Sequence, residues 1–184
     1  MAALNVTQAP ATVVRDQQRV PSCPGSYVLI LQSFRRRCVK IGRLGDLAQQ
    51  PGFYLYIGSA LGPGGVAARV AHHQRLTKKP RWHLDHLRPG VEPVEVWYCC
   101  DTRPREQLWT HVINTLSGAT VPLAGFGASD TPDVSHLFFF ASQPPVRAFF
   151  NQLTRTSPMP ATLYRTKLLS DRNEPRERCK ATKK

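Results

Sequence analysis

Acidic residues are scarce in this 184-residue chain: twelve Asp and Glu stand against twenty-five Lys and Arg, giving a formal charge of +13 and a pI near 10.2. A surface so short of negative charge favours a polyanion such as DNA or RNA over a small neutral substrate. Anionic lipid would answer the same charge, but no apolar run reaches transmembrane length. The N-terminus lacks the charged, apolar and cleavage regions of a signal peptide, so an intracellular protein with no membrane partner is expected. Cysteine is sparse and unpatterned. Cys23, Cys38, Cys99, Cys100 and Cys179 are odd in number and include no CxxC, which argues against a zinc site built from them and leaves free thiols as the expectation. No internal repeat is present. The 41% hydrophobic content supports one folded domain with a modest core.

What is present centres on residues 52–69. From Phe53 to Gly58 the chain combines aromatic and β-branched side chains, as in a strand buried on both faces. Gly62, Pro63, Gly64 and Gly65 then supply a turn, and Val66 to Leu76 resumes with helical spacing. Strand, glycine turn and helix bring a strand end and a helix N-terminus to one point, where backbone N–H groups and positive side chains can meet a phosphate. Arg69 and His73 share one face of that helix, with His72 beside them.

The rest of the chain supplies the frame. Residues 1–22 read as a mobile N-terminal arm and residues 23–154 as the domain. Residues 155–184, with nine Lys or Arg against three Asp or Glu, read as a disordered basic tail. Gly25 to Leu31 is a second doubly apolar strand, with Tyr27, Leu29 and Leu31 on one face and Ser26, Val28 and Ile30 on the other. Arg35, Arg36 and Arg37 follow in a turn, and with Lys78, Lys79 and Arg81 they could form a phosphate-binding surface or simply a solvated cluster. A short strand is expected at Cys38 to Ile41 and another at Val94 to Tyr98. His83, Asp85 and His86 lie too close in sequence to converge on one ion from a strand or irregular segment, so His83 is left with a supporting, phosphate-facing or purely structural role. Pro104 and Gly118 frame a helix whose first turn carries Glu106, where a carboxylate also complements the helix dipole. Ser135 to Phe140 reads as a strand and Val146 to Leu153 as a short helix. The expected fold is α/β: a small mixed or antiparallel central sheet flanked by helices.

Gly25-Ser26-Tyr27 on one strand, Tyr56-Ile57-Gly58 on the next long one, an arginine on a helix and a glutamate on a later helix occur in an order that resembles the GIY-YIG nuclease superfamily. Tyr56 to Gly65 with Arg69 and His73, then residues 82–85 and 125–138, is similar to its DUF123 branch, found alone or fused to endonuclease III-type repair domains. The resemblance implies a divalent-metal-dependent endonuclease acting on DNA, in repair or in processing of single-stranded or branched DNA, with repair proteins as partners; RNA is not excluded. It implies Tyr27 and Tyr56 at the active site, Arg69 as phosphate ligand, Glu106 as the single protein ligand to Mg²⁺ or Mn²⁺, and His73 and His83 as further catalytic candidates. The alternative is a nucleic-acid-binding module on the same fold that does not cut. Two departures stand out. Ser26 replaces the isoleucine of the superfamily name, on the strand face away from Tyr27, and Thr131 and Asp133 stand where the branch often has Cys-x-Cys.

Overall fold

The doubly apolar strand that begins at Gly25 lies inside the sheet. In the computed structural model, which describes residues 14–77, 79–129, 131–156 and 162–168, it is β2 (Gly25–Ser33). The elements run β1 (Val14–Asp16), β2, β3 (Arg37–Ile41), β4 (Gly45–Gln49), β5 (Gly52–Ser59), α1 (Gly65–Gln74), α2 (His83–Leu87), β6 (Glu92–Cys100), α3 (Glu106–Asn114), β7 (Leu137–Phe140), α4 (Val146–Thr156) and β8 (Leu163–Lys167). Six strands form one mixed sheet in the order β1-β8-β6-β2-β5-β7, flanked by the four helices, with β3 and β4 as a separate hairpin.

The strand parity read from the sequence divides the core in two. Tyr27, Leu29 and Leu31 pack with Val66 and Val70 of α1 and with Leu84 and Leu87 of α2. Val28 and Ile30 point the other way, onto Trp109, Val112 and Ile113 of α3 and Phe149 of α4. Each fully buried aliphatic side chain of this kind contributes about 1.5–3 kcal/mol, so β2 is held from both faces and its register is fixed. A slip of one residue would carry Tyr27 from one core to the other.

Both expected ends of the domain move outward. β8 lies within the stretch read as a disordered tail, yet it pairs antiparallel with β6, buries Leu163 and Thr166, and stacks Tyr164 on Tyr98 with ring centroids 5.4 Å apart. β1 lies within the stretch read as an arm and pairs parallel with β8. Residues 169–184 of the tail and 1–13 of the arm lie outside the described residues. The free-thiol expectation also fails for two cysteines. Cys23 and Cys100 form a disulfide across a sequence separation of 77. The sheet register explains it: Gly25 pairs with Cys100, which brings Cys23 within two residues of its partner. Cys38 and Cys99 are free. Among the described residues no helix is long and apolar enough to cross a membrane.

Candidate active site

Glycines decide how close the elements come. Gly64 and Gly65 have φ of 78° and 54°, in the left-handed region that favours glycine. A Cβ at Gly65 would sit 2.1 Å from the carbonyl oxygen of Cys23, so only glycine lets α1 begin against that segment. The carbonyl of Cys23 accepts the N–H of Val66 at 2.9 Å, seating the first turn of α1. Within β2, Tyr27 pairs with Gly58 of β5, and a Cβ on Gly58 would lie 2.5 Å from the Tyr27 ring carbon Cζ and from its hydroxyl. The phenol therefore lies across a position with no side chain, and reaches α1.

There the Tyr27 hydroxyl meets His73 Nε2 at 2.8 Å. Both groups are buried, and burial is the main influence on each. It raises the Tyr27 phenol well above its ordinary value of 10, with Tyr56 and Glu106 adding to the rise and Arg69 opposing it. It lowers His73 from 6.5 to about 3, helped by His72, so the imidazole is neutral at physiological pH. Tyr56 sets its ring edge against His73, centroids 5.5 Å apart. One helical turn before His73, the Arg69 guanidinium lies 4.9 Å from the centroid of the Trp82 ring.

Glu106 arrives from the other side of the sheet as the first residue of α3. Its neighbour Arg105 donates its backbone N–H to the buried Ser26 Oγ at 3.1 Å and its Nε to Asp101 Oδ2 at 3.1 Å. The residue that departs from the superfamily name thus anchors the start of the helix that carries Glu106. Its side chain does face away from Tyr27, as parity required.

Tyr27, Tyr56, Arg69, His73, Trp82 and Glu106 line one cavity of about 300 Å³, closed further by Gly58, Ser59, Gly127, Thr131 and His136. The structure therefore brings together five of the six residues expected at a catalytic centre. His83 is the exception. Its Nδ1 accepts the N–H of Gly127 at 3.0 Å and its ring lies against Phe126, so it braces the loop that forms one wall. Burial, then His86, lowers its pKa.

Trp82, His136 and Thr131 also line the cavity, though none of them was among the expected catalytic residues. His136 Nε2 lies 3.0 Å from Asp133 Oδ2 and 3.3 Å from Thr131 Oγ1. The two residues standing at the Cys-x-Cys positions thus converge on one buried imidazole. Asp85, expected on a strand or irregular segment, instead lies in the first turn of α2, where its Oδ2 accepts the N–H groups of Arg81 at 2.9 Å and Trp82 at 3.1 Å. Burial alone would raise this carboxyl; those two donors and His72 outweigh it and hold its pKa below the ordinary value.

The basic candidates divide. Lys79 and Arg81 are exposed on the connection that leads to Trp82 at the cavity, while Lys78 lies outside the described residues. Arg35, Arg36 and Arg37 follow the far end of β2, six residues beyond Tyr27 at Ser33, or about 20 Å along the strand. Arg37 donates from Nε to Gln49 Oε1 at 3.0 Å, and Arg36 and Arg37 border a different recess. These arginines do not share the cavity.

The cavity offers a guanidinium, a carboxylate, two phenols and a neutral imidazole at the end of a strand-turn-helix unit. No curated protein matches the chain, and neither does any solved structure. The family model described as "Domain of unknown function DUF123" matches residues 26–158, most of the chain and all of the cavity's walls, and the protein belongs to that family.

Proposed function

We propose that the chain is a divalent-metal-dependent endonuclease that hydrolyses DNA phosphodiester bonds inside the cell, as its resemblance to the GIY-YIG superfamily implies. The observation that carries the reading is the convergence of Tyr27, Tyr56, Arg69, His73 and Glu106, from two strands and two helices, on one polar cavity. Arg69 binds a non-bridging phosphate oxygen through its fork of donors. Tyr27, as the phenolate left once its own proton has passed to solvent, accepts the proton of the attacking water, and His73, held neutral, fixes the ring's orientation through the 2.8 Å hydrogen bond. Glu106 fits a hard cation: it is a half-buried carboxylate in the cavity wall, the donor type Mg²⁺ and Mn²⁺ prefer. Bound there, the ion supplies Lewis-acid charge for the leaving oxygen and offsets the carboxylate that otherwise disfavours the Tyr27 phenolate. Lys79 and Arg81 beside the cavity add backbone affinity without sequence information. Single-stranded or branched DNA in repair is the expected substrate class, with repair proteins as partners.

A second reading, a nucleic-acid-binding module that does not cut, is favoured by one observation: burial keeps the Tyr27 phenol protonated far above neutral pH. One experiment separates the two. Wild-type and Arg69→Ala proteins are incubated with labelled single-stranded, duplex and forked DNA in Mg²⁺, Mn²⁺ or EDTA. Metal-dependent cutting by wild type is expected, reduced about 10²- to 10³-fold in the variant. Tight binding with no cutting under any condition would assign the chain to the binding module.

A further inference from the structure

Behind the Tyr27 hydroxyl lies a second set of donor atoms that phosphodiester hydrolysis does not use. His72 and His73 end α1, Asp85 sits in the first turn of α2, and one ligand atom from each lies within 4.8 Å of the other two. His73 Nε2 is committed to Tyr27, whereas its Nδ1 is buried with no hydrogen-bond partner among the described residues. His73 is only 2% exposed, and a ring nitrogen left unmet at such a depth is costly. His72 Nε2 stands 3.4 Å from Asp85 Oδ1. That is long for a hydrogen bond, but it is about the edge of a tetrahedron whose metal–ligand bonds are near 2.1 Å. Asp85 Oδ2 is held by two backbone donors, which fixes the carboxylate and leaves Oδ1 on the imidazole side.

We infer that His72, His73 through Nδ1, and Asp85 form a binding site for a transition-metal dication of the zinc class, separate from the Glu106 position. Two imidazole nitrogens and one carboxylate oxygen suit Zn²⁺, Co²⁺ or Ni²⁺. The guanidinium groups of Arg69 and Arg88 act electrostatically on His73, which disfavours an ion held by charge alone, such as Mg²⁺ or Ca²⁺. Arg88 is itself tied to the backbone carbonyls of His73, Gln74 and Val91, so it braces the end of α1 behind the site. The Trp82 ring packs edge-on to His72, centroids 4.3 Å apart.

The consequence for chemistry rests on the nuclease reading. An ion on Nδ1 leaves the ring hydrogen on Nε2, so His73 donates to the Tyr27 oxygen and favours the phenolate. Zinc occupancy would then complete the active site without touching the phosphate.

The test is made on the full chain, oxidised, in a Cys38→Ser/Cys179→Ser background that leaves the fully buried Cys99 as the one free thiol. Equilibrium dialysis against Zn²⁺ in excess Mg²⁺ measures affinity, and Co²⁺ substitution gives visible absorption bands that report coordination. About one tight zinc per chain is expected. Even losing a residue that only orients a ligand weakens metal sites about 10- to 100-fold, so His72→Ala and Asp85→Asn should each weaken binding about 100-fold or more. The His72 side chain is 39% exposed, so its alanine variant should keep the wild-type far-ultraviolet circular dichroism. No zinc on the wild type, or the same affinity in folded His72→Ala, overturns the inference. No DNA enters this measurement, so a failed cleavage assay and a failed zinc titration are separately visible.

Discussion

Acidification should destabilise this fold through one residue. His73 takes up a proton in the folded protein only near pH 3, against about 6.5 in an open chain. Above about pH 6.5 the ring is neutral in both states and adds no pH dependence. Below it the unfolded chain binds a proton that the folded chain refuses, so stability falls by about 1.36 kcal/mol per pH unit until roughly pH 3. Between about pH 8 and pH 5 the effective span is about 1.5 units, a loss of about 2 kcal/mol for a single side chain. Urea unfolding at several pH values in EDTA, with wild type and His73→Gln compared, isolates the effect from the other histidines. Wild type should lose its advantage over the variant by about 2 kcal/mol on going from pH 8 to pH 5. Parallel stability curves would refute the reasoning, because the ring would then titrate alike in both states.

Gly58→Ala places a Cβ 2.5 Å from the Tyr27 hydroxyl, so the phenol must swing away from His73. A stability loss of about 1–3 kcal/mol by denaturant unfolding is expected, together with loss of any cleavage, and wild-type values for both would show that the ring has another place to lie. The Cys23–Cys100 bridge spans 77 positions, for which chain entropy predicts about 4.5 kcal/mol of stabilisation at most. Unfolding with and without dithiothreitol measures it, and equal midpoints would mean that the loop is already constrained in the unfolded chain.

Much of this arrangement was legible in the sequence because strand parity is strict. Alternation placed Tyr27, Leu29 and Leu31 in one core and Val28 and Ile30 in the other, and the glycine turn at Gly64 and Gly65 announced α1. Tyr54, two residues before Tyr56 on the same strand face, packs on Phe139 and accepts the N–H of Gln50 at 2.8 Å. β8 was hidden because Leu163-Tyr164-Arg165-Thr166-Lys167 buries only two side chains and sits among basic residues, so its place depends on the ladder with β6 rather than on its composition. α2 was hidden by its length of five residues, too short to show a period, and it depends on Asp85 collecting the N–H groups of Arg81 and Trp82. The link between His72 and Asp85 and the bridge between Cys23 and Cys100 are long-range contacts, and no local pattern encodes them. The placement of His83 and of Arg35 to Arg37 has the same origin: long-range packing sets His83 to hold a loop and leaves the arginines beyond the far end of β2, away from the cavity.

Among the described residues β1 forms one margin of the sheet, and it is only three residues long, with Arg15 and Asp16 exposed. So short and charged a border offers little unpaired backbone for a second molecule to zip onto. Without it, the five-residue strand β8 would become the border, and it would present a longer row of open donors and acceptors. A stretch that looks expendable in the sequence is therefore what guards the sheet against edge-to-edge aggregation, and truncating the chain before Gln17, which removes β1 but keeps Cys23, should be read first as a solubility experiment.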